Sequence, residues 1–107
     1  MAFDIDQTLD DMASAIAGVV AGEWPKIQTC VKNALKEEKD ALEKIAEARL
    51  AGEIDDEEMR SQLQDEKEAL KAALLVCKVK AKVIVQNAAN AAIRVLTGAI
   101  KAALKAL

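Results

Sequence analysis

Two cysteines carry the most reactive side chains of this chain, and their spacing indicates what chemistry they could do. Cys30 and Cys77 are the only cysteines among 107 residues. They lie equally far from a predicted turn near residue 53, so an antiparallel pairing of the two halves sets them face to face. Facing thiols either form a disulfide, which could act as a redox latch, or remain two buried free cysteines.

Carboxylates form the second candidate cluster, on one predicted helix. In helical bundles, carboxylate metal sites use Glu-x-x-His pairs, and this chain has no histidine. Lysines interleave with the acids at a spacing that favours ion pairs along a solvated helix face. We therefore predict no metal site, and the same absence of histidine argues against zinc at the cysteines. The acids are Glu37, Glu38, Asp40, Glu43 and Glu47, and the lysines are Lys36, Lys39 and Lys44.

The remaining side chains supply no recognisable catalytic set. Histidine and tyrosine are absent, the serines are only Ser14 and Ser61, and no glycine-rich phosphate loop is present. We therefore expect neither enzymatic activity nor a cofactor.

The backbone that must position these residues is predicted to be all-α. Apolar residues recur at helical spacing, and the chain contains one proline and four glycines. Helices are predicted at about 8–22, 25–51 and 56–105, with a turn at 52–54, in a single domain. Thr8 or Asp4 caps the first helix, Trp24-Pro25 kinks or breaks the first arm, and Asp55 with Glu58 forms a capping box. The prediction is a long antiparallel hairpin whose second arm is one helix of roughly 75 Å.

Charge divides this hairpin along its length. All 18 acidic residues lie at or before Glu68, whereas residues 69–107 contain seven basic residues and no acid. Such asymmetry favours an interaction surface over a reaction centre. The predicted register gathers a basic band between the acidic turn and the apolar open end. Its lysines are Lys26, Lys71, Lys78, Lys80 and Lys82.

The open end, 1–22 with 83–107, is too apolar for one opposing arm to cover. We therefore expect either self-association into a homo-oligomeric bundle, a dimer or tetramer, or a helical protein partner or lipid surface that covers the rest. The leading interpretation is a scaffold, adaptor or assembly subunit. The predicted interface residues are Leu9, Met12, Ile16, Val20, Ile84, Ala88, Ala91, Val95 and Ala99.

The alternative interpretation is a protein that binds an anionic lipid surface through the same end. Trp24 and the lysines would then lie at the membrane interface, as aromatic and snorkelling basic residues do. Nucleic-acid binding is disfavoured, because the chain is acidic overall and no aromatic residue lies among the lysines.

Localisation is predicted from the same patterns. The acidic N-terminus lacks the features of a signal peptide, and the longest stretches without charge, 12–22 and 83–93, are short for a membrane span. A cytoplasmic protein with peripheral membrane association as an option is therefore expected.

Overall fold

The structure, a computed structural model, describes residues 3–107 and is all-α, which confirms the predicted fold class. Within that range the chain forms four helices, α1 (Ile5–Val20), α2 (Trp24–Leu50), α3 (Asp56–Val76) and α4 (Lys82–Lys105). A single turn of 3-10 helix, Ala21–Glu23, joins α1 to α2.

The first helix begins earlier than the predicted residue 8. Asp4 is its N-cap, and the Asp4 carboxylate accepts a hydrogen bond of 3.1 Å from the backbone amide of Gln7. Thr8 is inside the helix and buried, where its hydroxyl donates to the carbonyl of Asp4. A threonine that satisfies its hydroxyl in this way is not free to cap, so Asp4 takes the role.

The turn between α2 and α3 is where the sequence places it. Gly52 has a positive φ of 77° and follows a helix end in which the amide of Glu53 donates to the carbonyl of Ala48. This is a Schellman motif with glycine at the left-handed position. The capping box of α3 is also confirmed, since the Asp55 and Glu58 side chains each accept from the other's backbone amide.

The second arm is not one helix, and the prediction of a helix over 56–105 is wrong. α3 ends at Val76, and α4 starts at Lys82. The break is a second Schellman motif, in which Lys78 has a φ of 69° and the amide of Val79 donates to the carbonyl of Leu74. Lysine occupies here the position that glycine occupies at residue 52, so no glycine marks this helix end in the sequence.

Two physical effects explain why the helix stops here. Lys78 and Lys82 would be stacked at i and i+4 in a continuous helix, where like charges repel. The larger effect is tertiary, because ending α3 lets α4 turn back and bury its apolar side. The free energy gained by burying the apolar side of α4 overrides the local preference for a continuous helix.

The first arm also folds back, at the same level of the molecule. α1 ends at Val20, because Ala21 has φ 53° and ψ −117°, and α2 starts at Trp24 with Pro25 in its first turn. The fold is therefore the predicted hairpin doubled over on itself. Its longest dimension is 39 Å rather than the expected 75 Å or so.

Doubling over produces an up-down-up-down bundle in which each helix runs antiparallel to the next. Two ion pairs and one shared pocket fix the directions. Lys39 of α2 pairs with Asp6 near the start of α1, and Arg49 of α2 pairs with Asp56 at the start of α3. Val20, where α1 ends, and Ile84, where α4 begins, line the same pocket. The predicted pairings of α2 with α3 and of α1 with α4 are retained. The difference from the prediction is that the hairpin folds back on itself and does not extend along one axis.

The core runs through the centre of this bundle, and every helix contributes to it. Aliphatic and methionine side chains fill it, and alanines of α4 such as Ala88 and Ala92 have no exposed surface. Small residues on α4 allow α1 to approach closely. The largest fully buried side chains are Met12, Ile16, Val31, Leu35, Leu42, Met59, Leu63, Leu70, Leu96 and Ile100.

Candidate functional site

The structure brings Cys30 and Cys77 together as the predicted register requires. Their sulfur atoms are bonded at 2.05 Å, and the Cα atoms are 5.7 Å apart. The disulfide joins the first third of α2 to the residue that ends α3. It therefore anchors the α3–α4 connection to the α2–α3 half of the bundle.

The residues predicted to form an oligomer interface pack mainly inside the chain's own bundle. Leu9, Met12, Ile16, Val20 and Ala88 are all buried, with exposed fractions of 7% or less. The other four are half-buried on α4, namely Ile84, Ala91, Val95 and Ala99. In the closed chain, α2 and α3 thus cover much of the apolar face that the sequence assigned to a partner.

The basic band becomes one end of the molecule. We define the basic end as Lys26, Lys78, Lys80 and Lys82 together with the exposed apolar residues Leu75, Val76 and Val83. The band lies at the level where the hairpin folds back on itself, which we call the fold line. Lysines that would have surrounded the middle of an extended hairpin therefore lie at one end of the bundle. Lys71, the fifth lysine of the predicted band, lies on α3 and pairs with Glu68 at 3.0 Å.

A pocket of about 520 Å³ separates the two connections at this end. Lys26 lines it from α2, and Lys78 and Lys80 line it from the α3–α4 connection. Glu23 is the one carboxylate on its wall, and Cys77 of the disulfide also contributes to it. Among the described residues, the four lysines of the basic end form no ion pair with a carboxylate, so their charges face solvent.

Large apolar side chains are exposed beside these lysines. Val76 is 77% exposed, Val83 is 69% exposed and Leu75 is 54% exposed. All three lie within nine residues of one another around the α3–α4 connection, and Leu107 is the other large apolar residue in the described chain with comparable exposure. Burial of these side chains would be favourable, so this cluster suits a surface that offers an apolar environment.

The opposite end of the bundle is acidic. The start of α1 contributes Asp4 and Asp6, and the start of α3 contributes Asp55, Asp56 and Glu57. Negative charge is stabilising at helix N-termini, which explains why the acids collect there. The Arg49 guanidinium holds the pKa of Asp56 below its usual value through a hydrogen bond and its charge. The Asp6 carboxylate likewise raises the pKa of Lys39. The molecule is therefore polar along its axis, with a basic and an acidic end.

A pair of carboxylates lies between α2 and α3, and the sequence did not single it out. Burial raises the pKa of Glu66 to about 7, and hydrogen bonding with Glu38 and the charges of Glu38 and Asp65 add to the effect. The Oε2 atom of Glu66 is buried and has no hydrogen-bond partner in the described part of the chain. Protonation of Glu66 removes the cost of burying this oxygen as part of a charged group.

This pair predicts that the protein loses stability as the pH rises. The folded-state pKa of Glu66 is above its usual value of 4.5. The stabilisation that the folded state gains from protonated Glu66 is therefore fully present below pH 4.5 and is lost as the pH passes 7. Glu66→Gln should remove this dependence and raise the free energy of unfolding at pH 8 by about 2 kcal/mol. Thermal melts between pH 5 and pH 8 measure it. The exposed control Glu47→Gln should keep the wild-type slope, and an unchanged slope in Glu66→Gln would refute the assignment.

Two further features of the structure concern metal binding and membrane crossing. Among residues 3–107, no group of three or more acidic or cysteine side chains is arranged to hold a metal ion. α4 has the length and the mean hydropathy, 1.3, of a helix that could cross a membrane, because its apolar sequence continues beyond Arg94. A core helix of a soluble bundle has the same length and hydropathy, and 33% of the apolar 18-residue stretch within α4 is buried here.

Comparison with known proteins adds no assignment, since no family model, curated protein or solved structure matches the chain.

Proposed function

We propose that this protein is a non-enzymatic helical bundle that attaches to anionic lipid surfaces through its basic end. The observation that carries the proposal is the coincidence, at one end of the molecule, of unpaired lysines and exposed valines. The acidic residues at the opposite end orient the bundle, because they are repelled by the surface that attracts the lysines.

Two contributions add up at such a surface. Each lysine close to an anionic leaflet strengthens binding several-fold, and Val76 and Val83 add the burial of exposed apolar area. The N-terminus of α4 adds positive electrostatic potential at this end. Its cap residue Ala81 makes no side-chain hydrogen bond to the free amides. The pocket between Lys26 and Lys80 gives room for a headgroup phosphate beside the lysine side chains.

This proposal takes precedence over the scaffold interpretation because of what the fold buries. A self-associating hairpin needs the apolar open end to be exposed, and the closed chain covers Met12 and Ile16 completely. The lysines and the valines beside them remain accessible in the same structure.

Removing three of the four lysine charges of the basic end should strongly weaken binding. In flotation with vesicles containing about one third phosphatidylserine, Lys78→Gln/Lys80→Gln/Lys82→Gln is expected to bind roughly 100-fold more weakly than the wild type. Wild-type binding should also fall as salt is raised, because the attraction is screened.

A matched control separates local charge from total charge. Lys44→Gln/Lys101→Gln/Lys105→Gln removes three exposed lysines that lie outside the basic end, and it changes the net charge by the same amount. We expect its binding to stay within a few-fold of the wild type. Equal losses in both triple variants, or no wild-type binding to these vesicles at low salt, would contradict the proposal.

The apolar contribution has its own test. Val76→Ser/Val83→Ser should weaken binding about tenfold at constant charge, since it removes the exposed side chains that would enter the interface. Leu107→Ser changes a residue of equal exposure, 77%, at the C-terminus and should leave vesicle binding unchanged.

A further inference from the structure

The two connections at which the hairpin doubles over share an unusual backbone feature. Ala21, between α1 and α2, has φ 53° and ψ −117°, and Lys78, between α3 and α4, has φ 69°. They are the only non-glycine residues with positive φ in the described chain. Residues with a Cβ rarely adopt this conformation, because the side chain crowds the backbone. Strain is thus concentrated at the fold line.

Each connection separates helices that belong to two different halves of the molecule. One half is the α2–α3 pair, and the other half is the α1–α4 pair. The disulfide lies inside the first half, and the close contact between α1 and α4 lies inside the second. Neither of them joins the two halves, so neither resists their separation.

The contact between the halves is apolar and can be supplied by a second copy. Ile16 of α1, Leu42 of α2 and Ile100 of α4 have no exposed surface and belong to one core. If both connections straighten, the α1–α4 half of one chain reaches the α2–α3 half of another. Every core contact between the two halves is then made again between chains, while the connections leave their strained conformations.

From this we infer that at high concentration the closed monomer converts to a domain-swapped dimer, in which two extended hairpins exchange their α1–α4 halves. Exchange of identical elements is a low-cost route to dimers, and short strained hinges favour it. In such a dimer the connections lie where the two bundles meet, so the basic end proposed for lipid binding belongs to the closed monomer. The α3–α4 connection has no proline or glycine between residues 56 and 97, so it can continue as helix. Pro25 permits the first arm to extend with a kink.

An ion pair in the structure reports directly on the exchange. Asp6 of α1 and Lys39 of α2 belong to different halves, and their Oδ1 and Nζ atoms are 2.9 Å apart. A zero-length carbodiimide reagent converts such a pair into an amide bond. The resulting link lies within one chain in the closed monomer and between two chains in the swapped dimer. Lys71 and Glu68, 3.0 Å apart on α3, stay within one chain in either form and are the control.

The experiment mixes isotopically light and heavy chains in denaturant without reductant and refolds them together at high concentration. The dimer fraction is isolated by size exclusion, crosslinked, digested and analysed by mass spectrometry. We expect about half of the Asp6–Lys39 links in the dimer to join a light to a heavy chain, and all Lys71–Glu68 links to stay within one label. A dimer whose Asp6–Lys39 links never mix labels would overturn the inference. So would a chain that remains monomeric at every concentration up to about 1 mM.

Glycine at the fold line supplies a second test that does not depend on crosslinking. Ala21→Gly/Lys78→Gly relieves the backbone in the closed form only, and it should weaken dimerisation by about 100-fold. Ala72→Gly, on the exposed side of α3, introduces a glycine into a segment that is helical in both forms. Its dimerisation constant should match that of the wild type. Unaltered dimerisation in the fold-line variant would contradict the exchange.

Discussion

Replacing Cys30 and Cys77 with alanine should reduce the free energy of unfolding by about 4 kcal/mol. The bond spans a sequence separation of 47 residues. A crosslink of that span removes much of the conformational freedom of the unfolded chain, and the stabilisation grows with the logarithm of loop length. For a chain of this size the melting temperature should fall by about 20 °C.

Reductant provides the matched control for this prediction. Wild-type protein in excess reductant should melt close to the double alanine variant, and the variant itself should not respond to reductant. Far-ultraviolet circular dichroism should still report helix at low temperature, because the core does not depend on the bond. A loss below about 1 kcal/mol would show that Cys30 and Cys77 do not stabilise the fold as a crosslink.

Ile16→Asp should unfold the chain. Ile16 has no exposed surface and lies near the end of α1 that packs against α4. Burying an aspartate there without a partner costs more than about 4 kcal/mol, which approaches the whole stability of a small domain. The expected result is a loss of helical signal at every protein concentration.

The same substitution separates a closed bundle from an oligomer built through the open end. In an oligomer of that kind, Ile16→Asp would dissociate the subunits and leave helical monomers, which light scattering detects. Ser14→Asp, on the exposed side of the same helix, is the control and should remain folded. A folded Ile16→Asp monomer would contradict the closed core described above.

The sequence predicted the features that depend on interactions between residues close together in the chain. The Asp55–Glu58 box and the Gly52 turn follow from short-range hydrogen bonding, and the pairing of α2 with α3 follows from the position of that turn. Cys30 and Cys77 meet because the register is set by the same turn.

The doubling over was not predictable from the local pattern, because its cause is tertiary. Lys78 adopts the left-handed conformation without being glycine, so the residue type gives no warning. A weak signal existed in the Lys78–Lys82 spacing and in the valines that follow, which are poorer helix formers than the alanines around them. Burial of α4 against α1 and α3 decides the outcome, and that gain is visible only in the folded chain.

The candidate site was likewise predictable in its local features and not in those that depend on tertiary structure. The lysines were singled out as a band, but their position at an end of the molecule depends on the fold line. The exposure of Val76 and Val83 also depends on it, since a continuous helix would have placed both on a long arm. The Glu38–Glu66 pair was missed because the two acids come from different helices, and an acidic helix surface gave no reason to select them.

Trp24 offers the most direct measurement of the central claim, that the basic end faces an anionic lipid surface. It is the only tryptophan of the chain, and it starts α2 at the same end as Lys26. Its fluorescence is measured while vesicles that carry brominated acyl chains and anionic headgroups are titrated into the wild-type protein. Bromine quenches an indole only at short range. We predict strong quenching with anionic vesicles and little with neutral ones. Emission that stays constant in the presence of anionic vesicles that sediment the protein would show that another surface binds, and would contradict the account.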